Sequence, residues 1–118
     1  MFDKKSFRDM KKELEKCEHE IEKAIMHSRE LTRESKLAIY SVHRGDINEA
    51  EKKLINVRRE LKKIKTKNYL YSVSYQEYVE AECILAFAKN KKIPTHTLLG
   101  IDAENYLLGI CDFTGELA

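Results

Sequence analysis

The stretch FRDMKKELEKCEHEIEKAIMHSRELTRESKLAIYSVHRGD, residues 7–46, decides the fold because its apolar and small residues recur in alternating steps of three and four. This stepping is a heptad repeat, which aligns one seam along a single α-helix. The run of repeats predicts a first helix about 60 Å long at 1.5 Å per residue. The seam consists of Phe7, Met10, Leu14, Cys17, Ile21, Ala24, Ser28, Leu31, Ser35, Ala38 and Val42.

The seam changes character midway along the helix. Its first half is large and apolar, whereas Ser28, Ser35 and Ala38 are small, so a partner helix is expected to come closer there. Gly45 ends the helix, with His43 in the last turn, where positive charge suits the helix dipole.

Three further helices are predicted. Asp46 caps a second helix, with Glu49 at capping-box spacing, and its heptad stepping continues to about Thr66. The short connection predicts that this helix folds back antiparallel on the first. A third helix begins between residues 68 and 74 and ends near residue 90, and TLLGI (97–101) forms a short turn or one helical turn. Asp102 caps a fourth helix, in which Gly109 and Gly115 indicate close helix approach or a bend.

Composition agrees with a single all-α domain over residues 1–118, an antiparallel helical bundle with a long first helix. Charged residues make up 36% of the chain, with four glycines and one proline, which disfavours an all-β fold. The net charge is only +2, so the overall charge by itself does not indicate any class of partner. With no apolar run long enough to span a membrane and no signal peptide, the sequence predicts a soluble, cytoplasmic protein. The cysteines Cys17, Cys83 and Cys111 are predicted to be reduced and mostly buried.

Carboxylates form the constellation with the clearest chemistry. Glu77 and Glu80 share a helix face in the most apolar stretch of the chain, and Asp112 and Glu116 lie one turn apart on the last helix. If these two helices face each other, four carboxylates converge, and their repulsion favours a hard cation such as Mg²⁺ or Mn²⁺. Such a site can activate water for phosphodiester hydrolysis. The same spacing is also consistent with solvated surface glutamates and with acids paired to lysines.

Three motifs resemble signatures of the translin and Trax family, in the same order. They are SRELTRESKLAIYSVHRGD (28–46), QEYVEAE (76–82) and YLLGICDFTGEL (106–117), and the resemblance covers roughly residues 20–117. It implies an all-helical fold, binding of single-stranded RNA or DNA, and assembly into hollow octamers. Trax-type members are Mg²⁺-dependent endoribonucleases, and translin-type subunits lack the full acidic set. All four matching positions are acidic here, so the resemblance implies the catalytic branch, with Glu77, Glu80, Asp112 and Glu116 as catalytic residues and metal ligands.

The family motif normally continues past GEL to a basic residue and further helices, whereas this sequence ends at Ala118. The expectation is a translin-like fold without the usual C-terminal helices. A homo-oligomer or a second chain is expected to supply them, unless the stop reflects a truncation or a split gene.

Basic residues of the first helix are candidates for RNA contact. Phosphate binding by Arg and Lys is salt-dependent, and the competing interpretation is a solvated helix face with balancing glutamates. The run RRELKKIKTK (58–67) and Tyr69, Tyr71, Tyr75 and Tyr78 are weaker candidates, for phosphate contact and base stacking. No histidine spacing indicates a metal site. The first-helix candidates are Arg29, Arg33, Lys36, His43 and Arg44.

Together these observations predict a metal-dependent endoribonuclease subunit acting on single-stranded RNA. Glu80 and Asp112 are expected to be the principal ligands. Two alternatives stay open: a catalytically silent subunit that binds single-stranded nucleic acid, and a structural coiled-coil bundle in which the acids are surface charge.

Overall fold

The long first helix organises the molecule. In the computed structural model, which describes residues 1–117, α1 is a 40-residue helix over Lys4–His43, and it accounts for most of the 69 Å length of the molecule. Gly45 ends it as predicted: φ there is +81°, and the neighbouring backbone amides satisfy the last carbonyls of α1. Asp46 then caps α2, accepting a hydrogen bond from the Glu49 amide at 3.2 Å. The elements are α1 Lys4–His43, α2 Ile47–Lys62, a 3₁₀ helix Asn68–Tyr71, α3 Ser72–Ala88, α4 His96–Leu99 and α5 Ala103–Leu117.

The antiparallel all-helical bundle is confirmed for the consecutive helices. His27 of α1 lies beside Glu60 of α2, and Lys89 after α3 pairs with Glu51 of α2, so each helix reverses the direction of the one before. After α4 the chain turns again, so α5 crosses α3 and runs in the same direction as α3. The Gln76 side-chain amide donates to the Asn105 side-chain oxygen at 2.9 Å. The additional α-helix, α4, is the single helical turn that the sequence left open.

The small residues of the α1 seam allow the close approach that was predicted, and the close partner is α3. The Ser74 hydroxyl donates to the Ser28 carbonyl at 2.6 Å and also lies 3.0 Å from the Thr32 hydroxyl. The buried core extends from this contact over one face of α1 and of α2 and around most of α3, with Phe113 of α5 closing it.

Two predicted boundaries were wrong by a few residues. Helix α2 ends at Lys62 and not near Thr66, because the chain must reverse before α3, and Lys67 adopts a left-handed φ of 56° to do so. The third helix begins as a 3₁₀ turn and ends at Ala88, where Asn90 takes a positive φ of 56°.

The first half of α1 does not join the core. Every residue from 1 to 20 is exposed, including the seam residues Phe7 (51%), Met10 (45%) and Leu14 (65%). Among residues 1–117, no helix is both long enough and apolar enough to cross a membrane.

The prediction of mostly buried thiols was wrong. Only Cys83 is buried, while Cys17 and Cys111 are exposed, because the α1 seam is uncovered at Cys17 and the Cys111 side of α5 faces away from α3. The three thiols form no disulfide within the described chain.

Candidate acidic site

The acidic site lies where α3 meets α1 and α5. Glu77 and Glu80 are three residues apart on α3, so they project from one face of that helix. Gly109 brings α5 close to this part of α3, since a Cβ at that position would lie 2.6 Å from the Val79 Cβ and 2.8 Å from the Gln76 carbonyl oxygen. The predicted close approach is confirmed at Gly109. It is wrong for Gly115, where no atom of residues 1–117 lies within 4 Å of a Cβ.

Glu80 is the buried member of the acidic group, with a side chain only 7% exposed. Burial raises the pKa of its carboxyl to about 7, and the charges of the three other acids act in the same direction. The carboxyls of Glu77 and Glu80 are near enough that each affects the pKa of the other. The apolar surroundings thus favour the protonated form of the Glu80 carboxyl.

Glu77 is half-buried, and two opposing effects act on the pKa of its carboxyl. Burial raises the pKa of its carboxyl, and the cationic Lys36 of α1 opposes that rise. Lys36, Glu77, Glu80 and Glu116 line one pocket of about 180 Å³, together with Ile39 and Tyr40. The structure therefore places three of the four predicted acids, and one predicted RNA contact, around the same space.

Asp112 lies outside the pocket that the other three acids line. It is exposed and does not line the pocket, yet its charge is near enough to raise the pKa of both Glu77 and Glu80. Glu116, also exposed, lies 4.0 Å from the Nε2 of His43. The α5 acids thus face the α3 acids across a solvent-open side of the site.

The four acids lie in one region of the molecule but do not converge on a single metal position. Within residues 1–117, no three His, Cys, Asp or Glu side chains are arranged so that they could hold a metal ion. Because Asp112 and Glu116 are exposed, rotation of their side chains is unhindered by packing. The donor set is all carboxylate oxygen, which is the chemistry that Mg²⁺ and Mn²⁺ prefer.

The five basic candidates of α1 divide into two groups. Arg29, Lys36 and His43 are spaced seven residues apart, which places them on one face that leads to the acidic pocket. Arg33 is exposed on a neighbouring face, and the Arg44 guanidinium donates to the Ser41 hydroxyl at 3.2 Å.

Of the four tyrosines considered for base stacking, three belong to the core. Tyr71, Tyr75 and Tyr78 are at most 9% exposed, whereas Tyr69 is 69% exposed. Only Tyr69 presents its ring to solvent, so the stacking hypothesis is reduced to that residue.

One polar cluster escaped sequence reasoning. His27 of α1 accepts from or donates to the Tyr71 hydroxyl at 2.8 Å through Nδ1, and its Nε2 lies 3.5 Å from Glu60. The three residues are separated by more than ten positions in sequence and no motif links them. Only the packing of α1 against α2 and the 3₁₀ helix reveals the cluster.

Comparison with known proteins supports the family resemblance. The chain is similar to the structure of apo-NeC3PO, with a TM-score of 0.79 and 31% identity, over 98% of this chain and 65% of that one. It is also 34% identical over 105 residues to an uncharacterized protein of Methanocaldococcus jannaschii, covering 81% of this chain and 47% of that protein. No protein-family model matches the chain.

The chain thus spans about half the length of the curated relative and 65% of the solved structure. C3PO is translin-like, so the structural match confirms a translin-like helical fold and supports the translin family.

Proposed function

We propose that this chain is a Trax-like subunit that binds single-stranded RNA and cleaves it at the acidic pocket with the help of Mg²⁺ or Mn²⁺. The observation that carries the proposal is the buried Glu80 carboxyl, which shares one pocket with Glu77, Glu116 and Lys36. A surface role for these acids would not bury one of them at 7% exposure against a second carboxyl. The similarity to a translin-like C3PO supports a nucleic acid as the partner.

The donor set fits a divalent cation in its chemistry. Glu77, Glu80 and Glu116 would hold the ion from the pocket, and Asp112 would join by turning its exposed side chain. The ion would relieve the mutual repulsion of the acids, which adds to burial in raising the pKa of Glu80. When bound, such an ion polarises a phosphodiester and activates water.

The chain's own side chains supply orientation and proton handling. Lys36 borders the pocket and carries the positive charge that a scissile phosphate needs beside four acids. A carboxylate of the group that does not bind the ion would accept a proton from water. Tyr40 and Ile39 form part of the pocket wall.

The strand would approach along α1. Arg29, Lys36 and His43 recur at seven-residue spacing, about 10.5 Å apart along the helix axis at 1.5 Å per residue. This stripe offers phosphate contacts on one face and ends at His43 beside Glu116. Binding through such contacts weakens as salt rises.

The test is cleavage of an end-labelled single-stranded RNA by the purified chain with Mg²⁺, with Mn²⁺ and with EDTA. We expect metal-dependent cutting that Glu80→Gln reduces at least ~100-fold, since the uncharged amide cannot replace the carboxylate. Glu22→Gln, on the exposed first half of α1, is the matched control and should cut like wild type. Cutting that persists in Glu80→Gln, or no cutting by the wild type in either metal, would refute the catalytic proposal.

A second candidate function is RNA binding without cleavage. It is favoured by the observation that no three donor side chains within residues 1–117 converge as a metal site requires. Salt-dependent RNA binding by the wild-type chain with no cutting would select it. Absence of both binding and cutting would select the third alternative, a scaffold built on the exposed seam of α1.

A further inference from the structure

Tyr40 carries a large aromatic ring that the fold leaves on the surface of α1. Its side chain is 57% exposed, whereas its two neighbours in sequence, Ile39 and Ser41, are buried. Among residues 1–117, no other aromatic ring packs against that of Tyr40. The packing of α1 is therefore made by other side chains, and the ring is open to a ligand.

This ring borders the acidic pocket. Tyr40 lines the space of about 180 Å³ together with Lys36, Glu77, Glu80 and Glu116, and it supplies the one aromatic ring among the described lining residues. An exposed tyrosine elsewhere on the surface would need no explanation, since single apolar side chains are common there. Here the ring adds a flat apolar face to a pocket whose other exposed groups are charged.

Basic side chains flank the ring on the same side of α1. Lys36 comes four residues before Tyr40 and His43 three residues after it, so the three side chains are neighbours on successive turns of one face. At 1.5 Å per residue, Lys36 and Tyr40 lie about 6 Å apart along the helix axis. One nucleotide can span this separation, with its phosphate at the ammonium group and its base at the ring.

The ring can accept only a base that is not paired in a duplex. In a double helix both faces of each base are covered by the neighbouring bases, whereas the bases of a single strand can be splayed out and stacked on an aromatic side chain. Every base has such a face, so a stacking contact requires a base without specifying which one.

We infer that Tyr40 stacks on the base of the nucleotide whose phosphate Lys36 holds, and thereby positions a single strand across the acidic pocket. The inference rests on the RNA-binding part of the proposed function and names the residue by which this pocket selects an unpaired strand. Tyr40 acts on the position of the strand, and the acids keep the roles proposed for them.

The test is RNA binding in EDTA, measured by fluorescence anisotropy, because EDTA prevents metal-dependent cutting. Two labelled strands are compared: a short single-stranded RNA and the same ribose-phosphate backbone without bases. We expect the wild-type chain to prefer the strand with bases by about tenfold, and Tyr40→Leu to lose this preference by weakening only the binding of that strand. Tyr40→Phe keeps the ring and should retain the preference.

Tyr69→Leu is the matched control, because Tyr69 is also exposed, at 69%, but lines a different cavity. It should show the wild-type preference. A strand that carries 2-aminopurine gives a second readout, since the fluorescence of this base is quenched when it stacks. At saturating protein we expect quenching beyond that of the free strand in the wild type and in Tyr40→Phe, and none in Tyr40→Leu.

The outcomes separate this inference from the nuclease proposal. RNA that binds and stacks through Tyr40 but is never cut when metal is added would refute the nuclease and leave the inference standing. Equal affinity of the wild type for both strands, a preference that survives in Tyr40→Leu, or no RNA binding in EDTA would overturn the inference. Because Tyr40 is exposed, Tyr40→Leu is expected to fold, and its thermal unfolding should match that of the wild type.

Discussion

At the scale of single residues, Glu80 has the environment least suited to a charged glutamate. Its side chain is 7% exposed, and its pKa of about 7 is well above the ordinary value of 4.5. In the folded chain it therefore binds a proton that the unfolded chain releases near pH 4.5. The resulting stability is fully present below pH 4.5 and is lost as the pH rises to about 7.

Glu80→Gln should remove this pH dependence, because the amide carries no charge at any pH. We expect the variant to gain stability relative to wild type as the pH rises from 4.5 to 8, by about 2 kcal/mol at the upper end. Thermal unfolding across this pH range measures the difference. Glu22→Gln, exposed on α1, should track the wild type, and parallel curves for Glu80→Gln and wild type would contradict the assignment.

Lys36 should contribute to RNA binding and not to the stability of the fold. It is exposed and borders the acidic pocket, so its loss removes one phosphate contact. We expect Lys36→Gln to weaken RNA binding several-fold and to lower the slope of log affinity against log salt by about one. Filter binding over a salt series in EDTA would show this. Lys52→Gln, on the exposed side of α2, is the control, and an unchanged slope in Lys36→Gln would exclude the contact.

Local sequence predicted each pair of acids on its own helix but not how the two pairs meet. Glu77 and Glu80 are near neighbours on one helix, so their shared face follows from spacing alone. The distances of Asp112 and Glu116 from them depend on how α5 crosses α3, which no local pattern specifies. The pairing of Arg58 with Leu98 and the burial of Tyr78 were likewise invisible, because they join residues far apart in sequence.

At the scale of helices, the crossing of α3 and α5 depends on one glycine. A methyl group at Gly109 would meet both the Val79 side chain and the Gln76 backbone, and the backbone atom cannot move aside without shifting α3. We expect Gly109→Ala to destabilise the chain by about 2 kcal/mol, the cost of overpacking a close contact.

Gly115→Ala provides the contrast on the same helix. No atom of the described residues lies within 4 Å of a Cβ there, so the change should be neutral or stabilising by up to about 1 kcal/mol through helix propensity. Urea unfolding of both variants makes the comparison. Equal effects would show that α5 does not pack on α3 as described.

Helix boundaries were predictable where a cap or glycine fixes them. Gly45 and Asp46 set the α1–α2 junction, and both act as their residue types predict. The end of α2 was not predictable in this way, because the heptad spacing continues to residue 64 although the helix ends at Lys62. The turn is required by the position of α3, which is tertiary information.

At the scale of the whole molecule, the seam along the first half of α1 has no packing partner among residues 1–117. Phe7, Met10 and Leu14 continue the heptad pattern that packs further along the helix, yet all three are exposed. Exposed apolar seams of this kind drive helix pairing. We expect the purified chain to self-associate with rising concentration, and Leu14→Lys to shift it toward the monomer in sedimentation velocity.

Lys12→Gln is the control for this association, since Lys12 lies on the opposite side of α1 from the seam. It should associate like wild type. A chain that stays monomeric across the concentration series, or association unaffected by Leu14→Lys, would rule out the seam as the contact.

The central claim is that the acids of α3 and α5 together form one divalent-cation site. Titration with Mn²⁺, followed by the loss of its free-ion EPR signal, tests this without requiring RNA or turnover. The account predicts one Mn²⁺ site in the wild-type chain that is lost or greatly weakened in both Glu80→Gln and Glu116→Gln and kept in Glu22→Gln. Mn²⁺ binding that is absent from the wild type, or unchanged in the Glu80 and Glu116 variants, would contradict it.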